Sequence, residues 1–166
     1  MSDTKKIISQ ITARRIVNDI KDIKKSYKEL ANNGIYYQHS ENELLKGYAM
    51  IVGSKDTPYT FGYYFFTFIF SEDYPFSPPK LIFESNDGET RFNPNLYIKG
   101  RVCLSVLNTW HGETWTSCQN IRSILLTLVT VLNENPIENE PGFTKLHNDN
   151  HNYNLIILYN NFKFCI

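Results

Sequence analysis

The sequence predicts an α+β fold: an antiparallel meander sheet flanked by an N-terminal helix, a central helix and a C-terminal helix. Three observations lead there. Apolar residues fall at helical spacing near the start of the chain and again beyond residue 120. Between about residues 44 and 84 the pattern changes to short runs of strand formers. Those runs are joined by short connections, and helices and strands are segregated rather than alternating, which favours antiparallel neighbours over βαβ units.

The first helix rests on Ile16, Ile20, Ile23, Tyr27 and Leu30, which form one apolar stripe, with Arg14, Lys21, Lys25 and Lys28 on another face. Asn32-Asn33-Gly34 stops it. Leu44 to Val52 reads as a strand closed by Gly53-Ser54-Lys55-Asp56, and Thr57-Pro58-Tyr59 with Gly62 as a turn. Tyr63 to Phe70, dense in aromatics, is the second strand. Core is the expected place for its rings, with exposure on the sheet face away from the helices as the alternative. Tyr74-Pro75-Phe76-Ser77-Pro78-Pro79 cannot be regular structure, because each proline lacks a donor and forces its predecessor extended. Leu81 to Glu84 is a third strand.

Residues 86–116 form a long irregular region holding Cys103, Trp110 and Trp115. A loop of that length in a compact domain is usually functional or disordered, and two tryptophans weigh against disorder. The central helix begins at Thr116, with Gln119 at capping-box spacing, and buries Ile121, Ile124, Leu125, Leu128 and Leu132. It stops near Asn135-Pro136. The last helix spans about Asp149 to Tyr159.

The chain has 166 residues, enough for one domain, and neither repeats nor linkers divide 1–166. Its net charge is zero, so no global field points to nucleic acid or membrane. Residues 1–30 nevertheless hold eight Lys/Arg against four Asp/Glu, while Glu134, Glu138 and Glu140 make the stretch from 134 to 140 purely acidic. Two partner surfaces are conceivable. Three cysteines, Cys103, Cys118 and Cys165, are too few for a disulfide framework and lack zinc-site spacing, so neither metal nor cofactor is expected. There is no signal peptide after Met1 and no apolar run approaching the ~20 residues of a membrane helix. These features predict a cytoplasmic or nuclear protein, or one in the host cytoplasm if viral. The chain ends soon after Tyr159, so no large C-terminal extension is expected.

Cys103 lies in Gly100-Arg101-Val102-Cys103-Leu104-Ser105, just after a turn rather than inside a strand pattern. A free cysteine is most often a buried structural residue. A reactive one is commonly activated by histidine, and His111 is near in sequence, which leaves a cysteine hydrolase open. Cys118, at the start of the central helix, could have a lowered pKa there, although packing is the simpler role. Asn95 can donate to a developing oxyanion or simply hold a turn.

Taken together, Tyr74-Pro75-Phe76-Ser77-Pro78-Pro79-Lys80, then Asn93-Pro94-Asn95, then Cys103-Leu104 eight residues beyond Asn95, then Trp115 and the helix, resemble the ubiquitin-conjugating enzymes. The resemblance runs from about Arg14 to Tyr159. Phe92-Asn93-Pro94-Asn95, Asn108-Thr109-Trp110 and Asn139-Glu140-Pro141-Gly142-Phe143 resemble a divergent subgroup that includes the conjugating domain of the giant inhibitor-of-apoptosis protein BRUCE. Asn93 stands where most of the family has a histidine, a residue of structural role. The stretch from Cys103 to Trp115 is also a few residues longer than usual, at a surface used by ligases.

The resemblance implies a UBC-like fold and an ATP-dependent pathway in which Cys103 receives ubiquitin, or a ubiquitin-like modifier, from an activating enzyme. A substrate lysine or a ligase cysteine then attacks the Cys103 thioester, and no hydrolytic base is needed. It assigns Asn95 to oxyanion or loop stabilisation and places Glu140 where an acidic residue can orient or deprotonate the lysine. A solvated loop is the alternative for Glu138 and Glu140. It gives Arg14, Lys21, Lys25 and Lys28 to the activating enzyme and Phe76 to a ligase, with core packing the alternative for Phe76. A catalytically inactive ubiquitin-binding variant of the fold remains a different possibility, which the presence of Cys103 argues against.

Overall fold

The computed structural model describes residues 8–166. Lys5 and Lys6 of the basic excess, and the N-terminal stretch read against a signal peptide, lie outside the described residues. The N-terminal helical region is two helices, α1 (Gln10–Lys25) and α2 (Tyr27–Asn32). Ser9 caps α1, its side chain accepting from the Thr12 N–H. The break at Ser26 corrects the expected single stripe. Ile16, Ile23 and Leu30 are buried, whereas Tyr27 points to solvent. Gly34 then takes a left-handed backbone, φ +70°, and its carbonyl accepts from the Val52 N–H.

The sheet has four strands in chain order, not three: β1 (Ile35–His39), β2 (Lys46–Val52), β3 (Tyr63–Ile69) and β4 (Lys80–Phe83). All neighbours are antiparallel, with Ile35 opposite Ile51, Ile51 opposite Tyr64 and Phe66 opposite Phe83. Alternation sends Ala49, Ile51, Tyr64, Phe66, Phe68, Leu81 and Phe83 into the core. The opposite face exposes Tyr36, Tyr48, Tyr63, Phe65 and Ile69. Core was therefore the wrong place for two of the five β3 rings, Tyr63 and Phe65.

The central helix, α3 (Ile121–Val131), packs on α1 and β2 through Ile121, Ile124, Leu125 and Leu128. Its start also differs from expectation. Asn120 is the N-cap, in a reciprocal capping box with Ser123, while Thr116 and Gln119 close a turn ahead of it. Cys118 thus lies in that turn and not in the helix. Pro136–Asn139 is a 3-10 turn. The last helix, α4 (Asn150–Phe164), is longer than expected and fully buries only Ile157 and Asn161, leaving Leu155 and Ile156 exposed. Among the described residues, no helix is long and apolar enough to cross a membrane.

Candidate active site

The backbone that carries Cys103 is delivered by three bridging contacts. Gly100, φ +81°, offers its carbonyl to the Phe83 N–H of β4, and a Cβ there would meet the Phe83 carbonyl at 2.9 Å. Arg101 then bridges to Ile82, and Val102 to Leu96. This short extended stretch is an added edge to the sheet, although too brief to be a strand. Beyond the nucleophile candidate, the hydroxyl of Thr109 accepts from the Leu104 N–H at 3.0 Å and lies 3.2 Å from the carbonyls of Val102 and Leu104. A 3-10 turn (Ser105–Leu107) and left-handed Asn108, φ 56°, reverse the chain. The Asn108 side chain accepts from the Trp115 N–H. Trp115 itself donates from Nε1 to the Pro75 carbonyl, so the proline-rich segment and the loop are fastened together.

Asn95 clamps residue 103 from the other side. Its carbonyl accepts from the Cys103 N–H at 2.8 Å, and its Nδ2 donates to the Cys103 carbonyl at 2.6 Å. One N–H of the amide remains for another acceptor. Asn93 stands behind it, 0% exposed. Its Nδ2 donates to Tyr59 Oη at 2.8 Å and to the Val131 carbonyl at 2.9 Å. Its Oδ1 accepts from the Asn95 N–H at 2.9 Å and from Asn139 Nδ2 at 3.3 Å. Two donors and two lone pairs are all used, as a buried amide requires. Tyr59 Oη in turn donates to the Phe92 carbonyl at 2.8 Å, and burial holds that phenol well above its ordinary value, so it stays a donor. Tyr59 and Val131 are distant in sequence from Asn93 and were not found by reading it.

Glu140 is half-buried at the edge of this region and pairs with Arg91 at 3.6 Å. Arg91 also donates to the Pro94 carbonyl at 2.6 Å and lies 4.4 Å over the Tyr97 ring. Glu140 is thereby linked to the Asn93-Pro94-Asn95 turn. The two groups share a cavity of about 360 Å³ with Ile137, Phe143 and Tyr153. Glu138 is exposed and accepts from the Lys145 N–H.

The three thiols differ sharply in access. Cys103 is 2% exposed, Cys165 is buried, and Cys118 is exposed. Burial pushes the Cys165 thiol up to about 11, which suits a packing role. His111 is exposed and touches the Trp110 ring, and it makes no hydrogen bond to Cys103. The Cys–His pair that a hydrolase needs is absent from the described residues. No cluster of three or more metal-ligating side chains occurs among them either.

The remaining residues singled out in the sequence lie at the surface. Arg14, Lys21 and Lys25 on α1 and Lys28 on α2 are all exposed. Phe76 is 71% exposed, which removes core packing as its role. Between the two regions, Arg15 ion-pairs with Asp19 at 2.8 Å and donates to the carbonyls of Ser117 and Gln119.

A four-stranded meander packed on α1 and α3, with a cysteine held by an asparagine on an irregular loop, defines the α+β architecture called the UBC fold. The family model for ubiquitin-conjugating enzymes matches residues 15–156, and the chain belongs to that family. Ubiquitin-conjugating enzyme E2 Z of Danio rerio is 37% identical over 161 residues, covering 95% of this chain and 48% of the relative. The Homo sapiens E2 Z is 37% identical over 149 residues, covering 88% and 42%. The Homo sapiens dual E2 ubiquitin-conjugating enzyme/E3 ubiquitin-protein ligase BIRC6 is 38% identical over 145 residues, 82% of this chain but 3% of the relative. The chain spans about half the length, or less, of these curated relatives. The divergent-subgroup resemblance is borne out by the BIRC6 match.

Proposed function

We propose that this chain takes ubiquitin, or a ubiquitin-like modifier, from an activating enzyme as a thioester on Cys103 and passes it to a lysine or to a ligase. The observation that carries the reading is the two-bond clamp between Asn95 and Cys103. It fixes the backbone of the nucleophile and leaves one amide N–H for charge that develops nearby.

In the first step the Cys103 thiolate attacks the carbonyl of the activating enzyme's thioester. A new C–S bond forms and the activating enzyme's cysteine leaves as a thiolate. In the second, an acceptor amine attacks the Cys103 thioester, an amide forms, and Cys103 leaves as the thiolate. ATP is consumed upstream by the activating enzyme. The free N–H of Asn95 stabilises the oxyanion in both steps. Glu140, held by Arg91, orients the incoming ammonium and takes its proton. The exposed cations on α1 and α2 speed the encounter with an acidic surface of the activating enzyme. Phe76 offers an apolar anchor to a ligase. A buried thiol must be uncovered as the partner docks.

The test is a loading assay with a panel of activating enzymes, modifiers and ATP. A band heavier by one modifier and lost on reduction is expected. Absence of such a band with every activating enzyme and modifier contradicts the reading.

A further inference from the structure

The saturated amide of Asn93 has one partner whose place in the chain is not explained by loop closure. Asn139 ends the 3-10 turn that follows α3 and immediately precedes Glu140. Its Nδ2 reaches Asn93 Oδ1 at 3.3 Å and the Val131 carbonyl at 3.0 Å. That carbonyl belongs to the last residue of α3, where the helix itself supplies no partner, and Asn93 donates to it as well. From Asn93 the chain of bonds runs to the Asn95 N–H, and from Asn95 to both backbone groups of Cys103. Four residues, Asn139, Asn93, Asn95 and Cys103, are thus connected without a gap, and the first of them is covalently next to Glu140.

We propose that Asn139 is a positioning residue for acyl transfer, which sets the Glu140 loop at a fixed place relative to the Cys103 thioester by acting through Asn93. This inference rests on the conjugating activity proposed above. The geometry also states why the pair is two asparagines. Asn93 donates twice and accepts twice, which a neutral imidazole cannot do. A carboxylate at 139 would face Asn93 Oδ1. Flipping the Asn93 amide to meet it would turn Oδ1 toward the Val131 carbonyl, which has no proton to give. Each single change to the histidine–carboxylate alternative is therefore mismatched. The pair is mismatched as well, since one imidazole N–H cannot serve both the new carboxylate and the Val131 carbonyl, and the carboxylate has no proton to give that carbonyl.

The experiment separates loading from discharge. Wild type, Asn139→Ala, Asn93→His, Asn139→Asp and the Asn93→His/Asn139→Asp pair are each charged with ubiquitin, and the activating enzyme is then quenched. Single-turnover discharge is followed over a series of free lysine concentrations. Asn139→Ala is expected to load normally, to lose about tenfold in maximal discharge rate, the equivalent of one hydrogen bond, and to keep the KM for lysine within about twofold. The two single changes toward histidine and carboxylate should fall at least as far. The pair should not recover and should discharge no faster than the slower single change, because the Val131 carbonyl is left without a donor. Discharge by Asn139→Ala at the wild-type rate overturns the proposal, and so does a pair that discharges at the wild-type rate. Failure of wild type to form a reducible thioester is a different outcome, since it removes the conjugating activity itself and this inference with it.

Discussion

The irregular region between β4 and α3 is built on two opposite plans. From Asn86 to Thr109 nearly every turn is closed by a named bond, and Phe92, Leu96, Val102, Leu104 and Leu107 are buried in the core. From Trp110 to Gln119 the chain is mostly exposed and hangs from few anchors: Trp115 on Pro75 and Asn108, and the carbonyls of Ser117 and Gln119 on Arg15. Each half carries one cysteine. The accessible thiol is in the loose half and the proposed nucleophile is in the tight one. Irregular backbone taken out of water must find partners for its amides, and here side-chain amides and a hydroxyl supply them. Placement of the backbone around residue 103, more than ready exposure, is what this region provides.

The strongest way to break the contrast is to remove the anchor of the loose half. Trp115 is 8% exposed, packs on Tyr74 with ring centres 5.8 Å apart, and donates to Pro75. Trp115→Ala should cost about 4 kcal/mol in urea unfolding. A loss under ~1 kcal/mol would mean that the loop is not fastened there. Next comes the tight half. Asn93→Ala strands the Asn95 N–H and removes one of two donors to the Val131 carbonyl and one Asn139 contact, with an expected loss of about 3 kcal/mol in thermal unfolding at fixed pH. A near-neutral result would show that the network is not coupled to folding.

Thiol access gives a smaller and kinetic contrast. In the free protein, maleimide should label Cys118 at least about tenfold faster than Cys103, read by peptide mass mapping. Equal rates would mean that residue 103 opens readily without a partner. Arg15→Ala should loosen the Ser117–Gln119 turn for about 1 kcal/mol of stability and speed Cys118 labelling, leaving Cys103 labelling unchanged.

The smallest effect is at Asp87, where the tight half begins. Burial alone would raise its carboxyl, but hydrogen bonds from the Thr90 hydroxyl, the Thr90 N–H and the Glu89 N–H outweigh it and hold the group below 3.8. A carboxyl depressed in the folded state adds stability above its unfolded pKa, and the contribution is lost as pH falls through the folded value. Asp87→Asn should therefore flatten a slight loss of stability below about pH 4 and change little at pH 7.

Much of this was legible in the sequence, for reasons that can be named. Long periodic elements such as α1 and α3, and the aromatic β3, announced themselves through spacing. β1 did not, because only Ile35 is buried in it and Tyr36 to His39 alternate weakly. The break at Ser26 was hidden because the apolar spacing continues across it while Tyr27 turns outward. The start of α3 was misplaced by a Thr-to-Gln spacing that closes a separate turn, whereas the real capping box uses Asn120 and Ser123. Cys103 and Asn95 were singled out from motif spacing, which says nothing of how deeply the thiol is buried. The roles of Tyr59, Arg91 and Val131 were equally out of reach, since each meets the site only after the sheet and α3 have packed.

The central claim is that the buried cysteine, and not the exposed one, carries the modifier. It is tested most directly by charging Cys103→Ala and Cys118→Ala side by side with activating enzyme, modifier and ATP, and measuring intact mass before and after reductant. The account predicts one modifier on Cys118→Ala, released by reductant, and none on Cys103→Ala. A reducible adduct that persists in Cys103→Ala and disappears in Cys118→Ala would contradict it.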